Sequence, residues 1–432
     1  MKKLLAAILS AALAMSIVSG CASGGGSSSS GGSSSGGESS ETQQTGENVT
    51  LSFLSWENES VMQPIIDGFQ TEYPNIKIDF QYAPPVGDYI EKLKVLGLTN
   101  ETPDVFVMVL ENREELIDAG TAMDLTDMEF MKSVSALNKQ LYSRDGRQYA
   151  GAGWAWVGGI FYNKDMFEQA GITEEPKTWD ELTEACKKLT DAGFTPIVDN
   201  MGDAATTLTS ALFASETLTD DPDFDKKVRE GELTYADGWT EPFQMWYQGM
   251  VEPGYINSSM TGITTEDIQT QFATGQIAMM LNGSWVVPTI LDINPELNFK
   301  CMGIPGSQEG NEWYFGGGGM GYSINSKTEH PKEAEKFLEY MITSPDALEH
   351  WNAGTGQLIL SGDEDTRVMQ GMDDAEVGLK EGKCWIPMFE WRKYTEALRV
   401  QYLACLSDMV NGNMTPEEAA KSMDDKYAEM GG

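Results

Sequence analysis

Apolar positions change their period along the chain, and each change marks a new element. Val49 to Trp56 reads as a strand, and Met62, Ile65, Ile66, Phe69 and Tyr73 then recur at the helical period. Ser60 with Gln63 three positions on has capping-box spacing, which sets the start of that helix at Ser60. Asn75 to Tyr82 alternates as a half-buried strand, and Tyr89 to Leu98 is helical. Pro103 to Leu110 is an apolar run suited to a strand covered on both faces, and Glu114 to Ala119 is a helix that stops at Gly120. Strand and helix alternating in this way predict a parallel α/β sheet, in which ligands bind beyond the carboxyl ends of the strands. Here those ends are Trp56 to Glu59 and Glu111 with Asn112.

The stretch Gly151 to Asp165 organises the rest of the chain. As a strand, its period of two puts Trp154 and Trp156 on one face, and the glycines beside them leave the backbone free to bend. A crossing from one lobe to another is expected here. Thr178 and Glu181 form a second capping box, with Leu182, Ala185, Cys186 and Leu189 as the inward stripe of the helix, and Phe194 to Val198 reads as the next strand. The alternation has restarted, which predicts a second α/β lobe. Thr264 to Ala273 is helical, Gln276 to Leu281 is a buried strand, and Asn282 to Trp285 is a tight loop opening a helix with Ser284 as its cap.

Gly316 to Gly321 matches G-x-G-x-x-G, but Tyr322 to Asn325 looks like a strand where the dinucleotide motif needs a helix. A second crossing explains these glycines better, and a third is expected between Trp351 and Gly362. Helices begin at Pro331 and Pro345, another runs from Tyr394 to Met409, and Thr415 with Glu418 caps the last. The expected fold class is α/β, with two α/β lobes joined by a multi-crossing hinge. Residues 48–155 with about 320–355 form the first lobe, and 156–319 with about 356–432 the second.

The chain start changes the setting. Lys2 and Lys3, an apolar run from Leu4 to Val18 and small residues after it make residues 1–20 a secretory signal, too short for a spanning helix. Val18 to Cys21 resembles the bacterial lipobox, which implies that Cys21 carries lipid such as palmitate. Residues 22–47 are almost all small or polar and would form a flexible tether with a reach of roughly 28 Å. A Gly-x-Ser-x-Gly match at Gly32 to Gly36 falls inside this tether, so it is no nucleophile elbow. The expected location is the extracellular face of the bacterial cell membrane. The formal charge of −38 disfavours nucleic acid and anionic lipid surfaces as partners.

Only His330 and His350 are present, which leaves little room for zinc or histidine-based triads. Cys186, Cys301, Cys384 and Cys405 contain no Cys-x-x-Cys pair. Asp221, Asp223, Asp225 and Glu232 imitate a calcium loop, yet Lys226 stands where that loop needs glycine. No metal, cofactor or catalytic residue is therefore assigned.

Several stretches together resemble the family 1 extracellular solute-binding proteins of ATP-dependent importers. They are the lipobox with its tether, Tyr73 to Ile78, Pro103 to Phe106, Phe161 to Phe167 with Pro176 to Leu182, Phe272 to Trp285, and Ile324 to Lys327 with Ala334 to Met341. The resemblance implies two lobes of the type II periplasmic-binding-protein kind, closing on a sugar and presenting it to a membrane permease. It also implies an aromatic at Trp285 against the sugar ring. The expected partners are a carbohydrate and the permease, and the expected state is a monomer.

Eleven tryptophans is a high count, and an indole face suits the C–H surface of a pyranose while carboxylates and amides take its hydroxyls. Trp56, Trp154, Trp156 and Trp285 are the leading candidates for ligand contact, followed by Trp351 and Trp385, with Trp313 and Trp391 behind them. Trp179 and Trp246 lie on helical stretches and fit a core. Glu57, Glu111 and Asp203 stand near predicted strand ends as acceptors. Two function classes remain: a non-catalytic sugar receptor, with a receptor for a non-sugar ligand as its variant, and a secreted carbohydrate-active enzyme using paired carboxylates.

Overall fold

β1 (Val49–Ser55) leads through α1 (Glu59–Glu72) to β2 (Ile76–Tyr82), then through α2 (Val86–Thr99) to β3 (Val105–Met108) and α3 (Arg113–Asp118). The structure is a computed structural model describing residues 47–84, 86–355, 358–359 and 369–432. The expected leader, Cys21 and nearly all of the tether lie outside the described residues. β1 is parallel to both β2 and β3, and Phe53 has Phe80 and Val105 as its register partners. The cap of α1 differs from the expectation. Asn58 accepts the Val61 N–H at 3.1 Å and the helix opens at Glu59, so Ser60 is already inside it. Asparagine caps as well as serine, and the position nearer the strand takes the role.

After α4 (Ala136–Leu141) comes β4 (Trp154–Asn163), the strand on which the second sheet is built. α5 (Trp179–Asp191), β5 (Met279–Gly283), α6 (Val286–Ile293), β6 (Phe299–Met302) and β7 (Phe315–Gly318) come next. Every named strand paired with β4 is antiparallel to it, and Phe194 to Val198 adds only isolated parallel bridges, Thr195 with Ile277 and Val198 with Met280. The named pairs of the second sheet are thus antiparallel, a direction the sequence did not assign, because periodicity reports burial and not the direction from which a strand returns. Ser284 does not cap α6. Trp285 precedes the helix without a side-chain bond, and the Ser284 N–H donates to the Val157 carbonyl at 2.8 Å, so backbone holds this turn.

β8 (Gly321–Ile324) returns to the first sheet, antiparallel to β3, and gives the order β8-β3-β1-β2. The glycine run therefore ends one strand and begins another, without the helix a dinucleotide site requires. α7 (Pro331–Thr343) and α8 (Pro345–Thr355) lead to β9 (Leu358–Ile359), which pairs with β4 at Ala155 and Trp154. β7, β4 and β9 lie side by side in that order where the chain passes between sheets. Part of the third expected crossing falls outside the described residues. α9 (Thr395–Val410) and α10 (Pro416–Glu429) close the chain, and α10 has the expected box, with Thr415 N–H on Glu418 at 2.9 Å and Glu418 N–H on Thr415 at 3.2 Å.

Two apolar cores result. Leu51, Phe53, Phe69, Phe337 and Trp351 belong to the first, and Ile160, Phe213, Trp239, Phe243 and Tyr402 to the second. β4 contributes Trp154 to the first core and Val157, Ile160 and Phe161 to the second. Leu110, Trp156 and Phe389 pack against both.

Candidate ligand-binding cleft

On the first sheet, the carboxyl ends of β1 and β3 carry the groups of interest. Trp56 is half-buried and meets Tyr89 edge to face at 5.3 Å, while the Tyr89 hydroxyl donates to the Val107 carbonyl at 2.6 Å. Glu57 comes next, its N–H on the Ser55 hydroxyl at 3.0 Å, and burial pushes its carboxyl up to about 7. Glu111 stands beyond β3. Burial raises its pKa, Glu396 and Asp203 act in the same direction, and its own backbone and Arg399 act against them. Glu111 comes from the first half of the molecule, and Asp203, Glu396 and Arg399 from the second.

The second half supplies a cavity of about 110 Å³ whose lining includes Asp199, Asn200, Asp203, Thr206, Asn282 and Trp285. Local turns aim these groups. Asp199 accepts the Met201 N–H at 2.8 Å, Asn200 the Gly202 N–H at 3.0 Å, and Asp203 the Ala205 N–H at 2.9 Å. Each bond fixes a side chain two residues back along the same loop, the geometry of successive Asx turns. Asp199 is buried and pushed up to about 6 by that burial, with Asp203 adding to the shift and the Met201 N–H opposing it. Asp203 retains solvent contact yet lies in a concave, protein-walled place, and desolvation there raises its pKa.

Trp285 is half-buried and folds over Gly283, where a Cβ would stand 2.1 Å from the indole. Trp156 approaches it at 5.0 Å with the rings inclined at 58°. Two indoles thus form a corner beside a hollow lined by carboxylate, amide and hydroxyl groups. Larger hollows exist, about 330 Å³ around Thr50, Asp104 and His330 and about 690 Å³ around Tyr162 and Lys300, but their linings include none of the predicted site residues.

The structure separates the remaining candidates. Trp154 is 1 % exposed and Trp351 is fully buried, and they pack on each other in the first core at 5.7 Å. Trp385 is enclosed in the second core at 5.1 Å from Phe213. Trp179 and Trp246 are buried, Trp313 donates its indole N–H to Thr219 at 3.2 Å, and Trp391 is in the second core. Asp221 of the imitation calcium loop is paired with Lys227 at 2.6 Å, and Asp225 is buried. Asp199, Asn200, Glu396 and Arg399 were not singled out by the sequence. The only signal available for the last pair was opposite charge at i and i+3 on a helix, which surface helices show routinely.

A family model described as bacterial extracellular solute-binding protein matches residues 55–347. The chain belongs to this family. Among its relatives, the multiple sugar-binding protein of Streptococcus mutans is 25% identical over 312 residues, 70% of this chain and 73% of that protein. The maltodextrin-binding protein MdxE of Bacillus subtilis is 26% identical over 273 residues, 60% of this chain and 61% of that one. The solved structure of a family 1 extracellular solute-binding protein from Bifidobacterium longum subsp. infantis superposes with a TM-score of 0.74 at 26% identity, covering 89% of this chain and all of that one. The two-lobe α/β architecture and its hinge of several crossings are those of this solute-binding family.

Proposed function

We propose that this protein is a sugar receptor: it captures an oligosaccharide between its lobes and delivers it to the permease of an ATP-dependent importer. The observation that carries this reading is the Trp156–Trp285 corner, at 5.0 Å, beside the cavity shared by Asp203, Asn282 and Trp285. Stacked C–H faces and hydroxyls that need both donors and acceptors are what a pyranose presents to such a place. Trp56, Glu57 and Glu111 would face the ligand from the other lobe. The names of the relatives, which mention multiple sugars and maltodextrin, support a sugar over other solutes. The rigid bodies would be residues 48–155 with about 320–355, and 156–319 with about 356–432. The protein would act as a monomer, without turnover, held at the outer face of the cell membrane by lipid on Cys21.

Ligand touching both lobes would stabilise the closed form by its differential affinity for that form. The test is a titration of mono- and oligosaccharides followed by tryptophan fluorescence, with product analysis alongside. Saturable quenching without product is expected. Turnover would replace the receptor with a glycoside-cleaving enzyme, and quenching by peptides alone would replace the sugar.

A further inference from the structure

The cavity that Trp285 lines offers a ligand more acceptors than donors. Asp199 and Asp203 both line it, and no lysine, arginine or histidine does. Asp199 is 7 % exposed, and among the described residues its carboxylate accepts one hydrogen bond, from the Met201 N–H at 2.8 Å. Asp203 accepts the Ala205 N–H at 2.9 Å and the Thr206 hydroxyl at 3.3 Å. An ionised carboxylate has about four lone-pair sites, so both keep capacity for further donors. Two side-chain donors of the lining are already engaged, Asn200 Nδ2 on the Ile263 carbonyl at 2.9 Å and the Thr206 hydroxyl on Asp203. Those left are the Asn282 amide, the Thr265 hydroxyl and the Trp285 indole N–H. Arg399 acts on Asp203 from outside the lining, while its Nε and one Nη hold the two oxygens of Glu396, each at 2.7 Å.

A sugar hydroxyl donates one hydrogen bond and seeks donors of its own, which suits this lining poorly. An ammonium group brings three donors, no acceptor and the opposite charge. It also relieves the repulsion between two carboxylates held in one small protein-walled place, and the face of an indole attracts a cation. At about 110 Å³ the cavity suits one end of a ligand and not its length. We infer that the cavity of Asp199, Asp203 and Trp285 receives a protonated amino group, so that oligosaccharides ending in an amino sugar are the favoured ligands. This rests on the sugar-receptor reading above and adds to it the chemistry of one ligand terminus.

The test uses the whole chain, unchanged and as Asp199→Asn, in calorimetric titrations at about pH 6.5, where an amine carries its proton. The probes are pairs that differ in an amino or a hydroxyl group: glucosamine and glucose, galactosamine and galactose, and the β-1,4-linked glucosamine trimer and cellotriose. The N-acetylated glucosamine trimer, which carries no charge, controls for the size of the substituent. In at least one pair the amino sugar should bind about tenfold or more tightly than its hydroxyl counterpart, and the N-acetylated trimer should show no such gain. Asp199→Asn should reduce that ratio by about tenfold, about 1.4 kcal/mol. A folded variant with an unchanged ratio overturns the inference, as does an unchanged protein that binds the hydroxyl member of every pair as tightly as the amino one. Binding of neutral sugars without any amino sugar overturns it too, and in all three cases the receptor reading stands. Binding of no sugar at all overturns the receptor reading and the inference with it. Should Asp199→Asn not fold, the unchanged protein decides at about 10 mM and about 0.5 M salt. Screening should shrink the advantage of the amino sugar, and a constant ratio overturns the inference.

Discussion

Trp285 can fold over residue 283 at the wall of its cavity because that residue has no side chain. The close approach, 2.1 Å from a would-be Cβ to the ring, separates two substitutions. Trp285→Ala removes the stacking face and should weaken oligosaccharide binding by about tenfold or more, about 1.4 kcal/mol, in a fluorescence or calorimetric titration. Gly283→Ala keeps the indole but pushes it aside. Binding should fall in the same assay while the thermal midpoint moves little, because the ring has solvent on one side to move into. A second residue-scale prediction concerns Asp225, whose carboxyl is pushed up to about 8 by burial, with Glu390 adding to the shift and Arg229 opposing it, and which in turn acts on Tyr235. The folded protein then keeps a proton that the unfolded chain gives up near 3.8, so this group's contribution to stability declines as pH rises from about 4 to about 8. Asp225→Asn should melt close to the unchanged protein near pH 4 and several degrees higher at pH 8, as read by thermal denaturation.

At the scale of elements, most of the order along the chain was legible, since burial on one face or on both leaves a period in the sequence. β1, α1, β3, α3 and α10 stand close to where apolar spacing and cap residues set them. Strand direction was not legible: nothing in the run Phe194 to Val198 says that it meets Ile277 and Met280 only at isolated bridges. The tryptophans of β4 show the same limit within one strand. Period two puts Trp154 and Trp156 on one face, but the strand passes from one core to the other between them, so Trp154 is enclosed and Trp156 reaches the corner with Trp285. The aromatic part of the candidate site was conspicuous in the sequence for a related reason. An indole beside glycine at a strand end is conspicuous, whereas Asp199 and Asn200 matter only because their loop turns back to line the cavity with Trp285, and that return leaves no trace in local spacing.

Across the whole molecule, the two cores are tied by backbone as well as by side chains. Arg113 of α3, 1 % exposed, donates to the Leu141 carbonyl at 2.9 Å and to the Phe389 carbonyl at 2.9 Å, and Phe389 packs on both cores. Burial lowers the Arg113 pKa to about 10, with Arg392 adding to that effect and Glu114, Tyr142 and Glu390 opposing it, so the group stays charged at neutral pH. Arg113→Met should leave both carbonyls short of a donor. It is expected to lower stability by about 1–3 kcal/mol per orphaned group, measured as a shift in the urea midpoint.

The return of β8 to the first sheet has a further consequence, for the order in which the protein can be made. Gly321 pairs with Met108, and Tyr322, Phe337 and Trp351 complete the core that Leu51 and Phe53 began. While a ribosome is still translating the second half, β3 has an open edge and the first core lacks Tyr322, Phe337 and Trp351. The second core in turn waits for Tyr402 and Met423. Contacts this distant in sequence form late, since the intervening loop must close before they gain anything. Neither half can therefore complete its core until the residues that close it have been made, Trp351 for the first and Met423 for the second.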